Sequence, residues 1–194
     1  MKDATEVSFN MISVDGDMST NDSVVVLANG AAGNKKIVAR DADYLKFFET
    51  LKNLCTELAK RIAADGEGAS KFLTINVTGA ETFADAKKVG MSVANSPLVK
   101  TAFFGQDANP GRTICAVGYS GVKIVPEKIS IKFGGLIVYD KGLVTKFDED
   151  AMRKILAEHD IVVDIELGLG DAQATVYTCD LSFQYVKINA DYTT

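Results

Sequence analysis

The chain has 194 residues, 47% of them hydrophobic, enough apolar material to bury the core of one large domain or two small ones. Its 21 basic and 26 acidic residues leave a net charge of -5 and are interspersed, without the basic run or aromatic-basic interleaving of a nucleic-acid binder. No apolar stretch nears the ~20 residues of a membrane span, and Met1-Lys2-Asp3-Ala4-Thr5-Glu6 is no secretion signal, so a cytoplasmic chain without a membrane partner is expected.

In chain order, residues 4–9 read as the tail of a helix entering a loop at Val14-Asp15-Gly16-Asp17. Residues 23–28 form a continuous apolar run, the pattern of a strand covered on both faces. Asp41 is a suitable N-cap for a long amphipathic helix, because Tyr44, Phe48, Leu51, Cys55, Leu58 and Ile62 recur at three- and four-residue spacing. The helix must stop at Asp65-Gly66-Glu67-Gly68, where two glycines loosen the backbone. A domain boundary is expected near Ala69, followed by a strand over residues 72–77.

Thr82 caps a second helix, with Phe83, Ala86, Val89 and Val93 on one face, which Ser96-Pro97 should end. Residues 129–133 and 136–140 read as a hairpin through Gly134-Gly135. Asp148 caps a helix carrying Ala151, Ile155 and Leu156, and His159, the single histidine, should lie in its last turn. Residues 161–167, 174–181 and 183–188 read as strands, and Gly168-Leu169-Gly170-Asp171 as a hairpin turn. This order suggests an α+β roll.

Several chemical motifs fail on inspection. The Asp15 loop resembles a calcium loop, yet Thr20 and Val26 stand where an EF-hand needs glycine and glutamate. Its Asp, Ser and Asn side chains are better suited to bonding nearby backbone amides. Gly168-Leu169-Gly170 opens like a dinucleotide fingerprint but lacks the third glycine and leads to a strand. Nothing around Ser120 resembles a nucleophile elbow that would make a triad with His159. Cys55, Cys115 and Cys179 are odd in number and far apart, which argues for buried thiols. In the loop from Lys100 and Thr101 to Asp107, Asn109 and Arg112, structural roles are expected, with Arg112 and Asp107 satisfying each other and nearby carbonyls. Glu67, held between two glycines, is the acid most open to a ligand, although a solvated loop acid would look the same.

Four segments together carry a resemblance: residues 14–23 into the apolar run, Ser96-Pro97-Leu98-Val99-Lys100-Thr101-Ala102, Cys179-Asp180-Leu181, and Asn189-Ala190-Asp191-Tyr192. They are similar to the β chain of the ornithine acetyltransferase (glutamate N-acetyltransferase) family over nearly the whole length. Met18, Gln106 and Pro110 depart from the family pattern, standing for a small hydroxyl residue, an acid and a tryptophan.

The resemblance implies an α/β (α+β) fold of the DmpA/ornithine acetyltransferase kind. Residues 1–69 would join a layered α-β-β-α sandwich shared with an α chain, 70–188 would form a C-terminal α+β roll, and 189–194 would return to the active site. It implies that Glu67, Asn189 and Thr194 bind the amino-acid substrate. It implies no metal or organic cofactor, and an α chain of the same precursor as partner in an α2β2 heterotetramer.

Members of this family cut themselves before a threonine whose own α-amine serves as base, a pairing suited to a weak hydroxyl nucleophile. Ala4-Thr5 superficially matches the cut, but Glu6-Val7 follows where the family has Met-Leu, so Thr5 is read as structural. The resemblance therefore implies an acyltransferase subunit whose nucleophilic threonine lies upstream, leaving this chain inactive alone. The alternatives are a related self-processed amidase or aminopeptidase, and a non-catalytic α+β assembly module.

Overall fold

The structure, a computed structural model, describes residues 1–191. Helix α1 (Lys2–Glu6) ends sooner than the sequence suggests, and Phe9–Met11 forms a separate 3-10 turn before strand β1 (Ile12–Ser13). Helix α2 (Ala42–Ala64) begins where Asp41 accepts from the Tyr44 amide at 3.0 Å, as the capping pattern predicts. Strand β2 (Phe72–Ala80) leads to α3 (Phe83–Ala94), capped by Thr82.

Helix α3 ends at Ala94, ahead of an extended Ser96 as expected, but Pro97 does more than mark that end. It occupies the first turn of a new helix, α4 (Pro97–Phe104), where a missing N–H costs nothing, and Ser96 caps it. Asn109 and Pro110 repeat the device to start α5 (Pro110–Gly118), a helix not anticipated from the sequence. Strands β3 (Ser130–Phe133) and β4 (Leu136–Asp140) form the expected hairpin, with φ of +53° and +88° at Gly134 and Gly135, as a primed turn requires. The short β5 (Leu143–Val144) follows, and Asp148 caps α6 (Glu149–Ala157) through the Asp150 and Ala151 amides. His159 falls just beyond that helix and pairs with Asp160.

Strands β6 (Asp160–Glu166) and β7 (Ala172–Cys179) complete a seven-stranded sheet in the order β1-β7-β2-β6-β3-β4-β5. β6 runs parallel to β2 and β7 antiparallel to it, so the two flank β2 on opposite sides. The Gly168 to Asp171 link therefore crosses over β2 and is not a hairpin. Residues 183–188, expected as a strand, belong to helix α7 (Phe183–Asp191), begun where Ser182 Oγ accepts from the Gln184 amide.

One sheet face is the core. Leu73, Ile75 and Val77 of β2, Val163 and Ile165 of β6 and Val176 of β7 are fully buried against Val89 and Val93 of α3. Each such side chain contributes roughly 1.5–3 kcal/mol. On the opposite face α2 lies along the β1–β7 edge, with Lys60 Nζ 5.4 Å above the Tyr177 ring. Farther along that face stands a polar ladder, Thr175 to Asn76 to Asp164, each bond 2.9 Å.

The apolar run at residues 23–28 is the plainest departure from expectation. It joins no strand of the sheet, and Val25 and Leu27 are 71% and 91% exposed. Strand propensity alone does not form a strand; a ladder partner is needed, and among the described residues this segment has none. Among those residues, no helix is long and apolar enough to cross a membrane.

Candidate functional site

The topology brings three loops together at one end of the sheet. β1 and β7 run parallel and end there, leading to the Asp15 loop and to α7, while β2 starts there from the glycine-bounded acid. In the Asp15 loop, Asp15 accepts from the Asp17 amide at 2.9 Å and Ser19 Oγ from the Asn21 and Asp22 amides. These side chains satisfy backbone, as their residue types suggest.

The Asp65-Gly66-Glu67-Gly68 segment is a β-turn. The Ala69 amide donates to the Gly66 carbonyl at 2.9 Å, with Glu67 and Gly68 at its two central positions. Gly68 has φ +67°, the value a type II turn requires at its third residue. The turn holds the Glu67 carboxylate out in solvent.

Helix α7 crosses directly over this turn. A Cβ on Gly68 would lie 2.6 Å from Gln184 Cβ and 2.8 Å from the Tyr185 nitrogen, so the glycine permits the contact. From this seat, Tyr185 and Asn189, one helical turn apart, reach the two acidic loops. Tyr185 Oη donates to Asp15 Oδ2 at 3.0 Å, and Asn189 Nδ2 donates to Glu67 Oε2 at 2.6 Å and to the Tyr185 carbonyl at 3.0 Å. Burial raises the Tyr185 phenol above its ordinary pKa, with the hydrogen bond and charge of Asp15 acting in the same direction. Of the three site residues implied by resemblance, Glu67 and Asn189 are thus in contact, while Thr194 lies outside the described residues.

Behind this surface sits a buried layer the sequence did not announce. Asp180, 3% exposed, accepts from the Ser70 amide at 2.8 Å, Ser70 Oγ at 2.6 Å and the Lys71 amide at 2.9 Å. Ser182 Oγ donates to the Gly68 carbonyl at 2.5 Å. Lys100 of α4 is buried, donating to Thr178 Oγ1 at 2.9 Å and to the Cys179 carbonyl. Burial lowers the Lys100 pKa, an effect partly opposed by Cys179 and Asp180; burial raises that of Cys179. The signals for this layer in the sequence are the polar Asp180 and Ser182 at the exit of an apolar strand, and the place of Lys100 and Asp180 in segments that carry the resemblance.

Arg112 and Asp107 do not satisfy each other as expected. Arg112 Nη1 instead donates to the Leu98 carbonyl at 2.9 Å and to Thr101 Oγ1 at 3.3 Å, while Asp107 accepts from Asn109 at 3.0 Å. The Arg112 bonds tie α5 to α4, and the Asp107 bond stays within the loop between them. Cys55 and Cys179 are buried thiols, but Cys115 is exposed. Thr5 sits within α1, its backbone amide donating to the Met1 carbonyl at 2.8 Å.

A groove of about 620 Å³ runs beside this site, between α2 and the exposed apolar run. It is lined by Val24, Val25, Leu58, Ile62 and Asp65 among others, but by neither Glu67 nor Asn189. Arg61 and Asp65 place one charge of each sign in its otherwise mainly apolar lining.

The chain is similar to proteins named arginine biosynthesis bifunctional protein ArgJ. It is 49% identical to that of Geobacter sulfurreducens over 192 residues, 98% of this chain and 49% of the relative. It is 46% identical to that of Staphylococcus aureus over 194 residues, 100% of this chain and 47% of the relative. The chain thus spans about half the length of the curated relatives it matches. A crystal structure of ArgJ from Bacillus halodurans has the same fold, with a TM-score of 0.94 at 41% identity, covering 98% of this chain and 90% of that one. With residues 1–194 all inside the family match and this fold shared by a solved member, the chain belongs to the ArgJ family.

Proposed function

We propose that this chain is the β half of a self-processed acetyltransferase of arginine biosynthesis, moving acetyl from N-acetylornithine to glutamate through an acetyl-threonine intermediate. The observation that carries this reading is the bond between Asn189 and Glu67. Two polar side chains 122 residues apart meet in solvent at 2.6 Å, where no packing need accounts for them. A carboxylate beside a carboxamide provides an acceptor for an ammonium and a donor for a carboxylate, the two ends of an α-amino acid. The tail hydroxyl of Thr194 would add a third contact.

In this reading the attacking threonine is supplied from outside these residues. Thr5 is a poor alternative because its nitrogen is an amide already bonded within α1. The threonine hydroxyl attacks the acetyl carbonyl while its α-amine, with a pKa near 8, takes the proton and passes it to the departing ornithine amine. Glutamate's free amine then attacks the acetyl ester, forming N-acetylglutamate and restoring the hydroxyl. The α chain would contribute donors to the developing oxyanion.

A second chain of the same precursor, in an α2β2 assembly, belongs to this reading, and two features are consistent with a partner chain. Leu54, Leu58 and Ile62 of α2 are exposed beside the unpaired apolar run, a contiguous patch of the kind partners cover. The solved relative is a chain of similar size, matched over 90% of its length, whereas the curated relatives are about twice as long. Residues 1–69 would then complete a layer shared with the α chain, beside a C-terminal domain of 70–188.

The test uses the complete two-chain enzyme with N-acetylornithine and glutamate. N-acetylglutamate is the expected product, and acetate alone would replace this reading with an amidase. Glu67→Gln should raise the KM for N-acetylornithine roughly tenfold or more, as expected for losing about 1.5–3 kcal/mol of charge-assisted hydrogen bonding. Wild-type kinetics in that variant would refute the assignment of Glu67.

A further inference from the structure

We propose that Asp180 and Ser182 are positioning residues, forming a clamp that fixes the Glu67 carboxylate for substrate; this rests on the substrate role of Glu67 given above. Burying a carboxylate is costly unless its lone pairs are met, and an apolar residue could close the end of β7 without that cost. Asp180 is met three times, and all three donors come from Ser70 and Lys71, the residues that follow Glu67's turn into β2. Ser182 grips the same turn from its own carbonyl at Gly68.

The two grips are complementary. Asp180 holds the exit of the turn by its amides, and Ser182 holds the turn's third residue by its oxygen, so the backbone from Gly68 to Lys71, on which Glu67 is mounted, cannot shift without breaking one of them. Lys100 steadies the clamp from behind, since its ammonium bonds the Cys179 carbonyl next to Asp180. The chain leaving the clamp becomes α7, which delivers Asn189 to Glu67. One ten-residue stretch, 180–189, therefore sets both members of the substrate pair. A residue acting this way should influence substrate binding through Glu67 and leave the chemical step largely alone.

The experiment is a kinetic cycle in the complete two-chain enzyme, comparing Glu67→Gln, Asp180→Asn and the double variant. Asparagine keeps one oxygen for the Ser70 and Lys71 amides, but it loses the carboxylate charge that strengthens those bonds and turns an N–H2 toward Ser70 Oγ in place of an acceptor. The KM for N-acetylornithine should rise roughly tenfold in Asp180→Asn with kcat within about threefold, the scale of one charge-assisted bond. The double variant should show the KM of Glu67→Gln alone, because the clamp has nothing left to position. Multiplied effects, or a fall in kcat with KM unchanged, would overturn the clamp and leave the role of Glu67 standing. Wild-type behaviour of Glu67→Gln would overturn both. Should Asp180→Asn fail to assemble, Ser182→Ala, which removes both the bond to the Gly68 carbonyl and the cap on the Gln184 amide, runs the same cycle. The same non-additivity is expected there, and multiplied effects overturn the clamp.

Discussion

At Gly68, φ is +67° and the helix above leaves no room for a Cβ, so two separate costs fall on any larger residue. A left-handed backbone costs about 1–3 kcal/mol for a non-glycine residue, and relieving the overlap must lift α7 off the turn. Gly68→Ala should therefore lower Tm by several degrees, at about 2–4 °C per kcal/mol for a chain of this size, and raise the KM of the assembled enzyme as Asn189 loses Glu67. Thermal unfolding with Tm and KM both unchanged would show that α7 does not rest on this glycine. At this scale the sequence was legible in part. Glu67 stood out because two glycines bound it, and Asn189 came only by resemblance. Asp15 was read as a loop residue, and nothing local marks Tyr185 as its partner. Asp180 and Lys100 were marked only as members of segments that carry the resemblance, and their bonds were not legible, because these depend on burial and on partners far along the chain, on other elements.

Among the elements, capped helices were the most legible: Asp41, Thr82 and Asp148 each accept from the amides their spacing predicts. The misreadings have physical causes. Proline both ends and begins helices: α3 stops before Ser96-Pro97 as expected, and what was missed is that a preceding Ser or Asn cap at Pro97 and Pro110 also starts a new helix. Residues 183–188 are apolar enough for a strand, but a short apolar run does not distinguish strand from helix, and Ser182 caps the chain into α7. The element joining these parts is α4, whose Lys100 is buried against the end of β7. Folding holds the Lys100 pKa below its unfolded value, chiefly by desolvation. Between the two values the unfolded chain binds more protons, so stability must rise with pH across that window. Its contribution is full above the unfolded pKa and is lost as pH falls through the folded one. Relative to Lys100→Met, the wild type should therefore gain stability as pH climbs toward the ordinary lysine range, measured as urea midpoints in a pH series. A constant difference between the two proteins across the series would mean that Lys100 does not titrate differently on folding.

For the whole molecule, the α/β class was legible from the alternation of capped helices and apolar runs, but the strand order was not. Periodicity reports which face of a strand is apolar, not which strand lies beside it, and so β6 and β7 were read as neighbours when β2 separates them. The same limit explains residues 24–27. Their sequence has the composition of a buried strand, and here they stand in solvent outside the sheet. Both observations fit if the ladder partner belongs to another polypeptide, since an unpaired extended segment readily adds to a neighbouring sheet edge. Backbone amides in such a segment exchange with solvent almost freely until a partner bonds them. Hydrogen exchange on this chain alone and on the assembled enzyme should therefore differ most at 24–27 and along the exposed stripe of α2. Slowing of tenfold or more is expected there, equivalent to about 1.4 kcal/mol of protection. The core amides of β2 should serve as the internal reference, because their ladder is already complete within this chain. Equal exchange at 24–27 in both states would mean that no partner strand covers the apolar run.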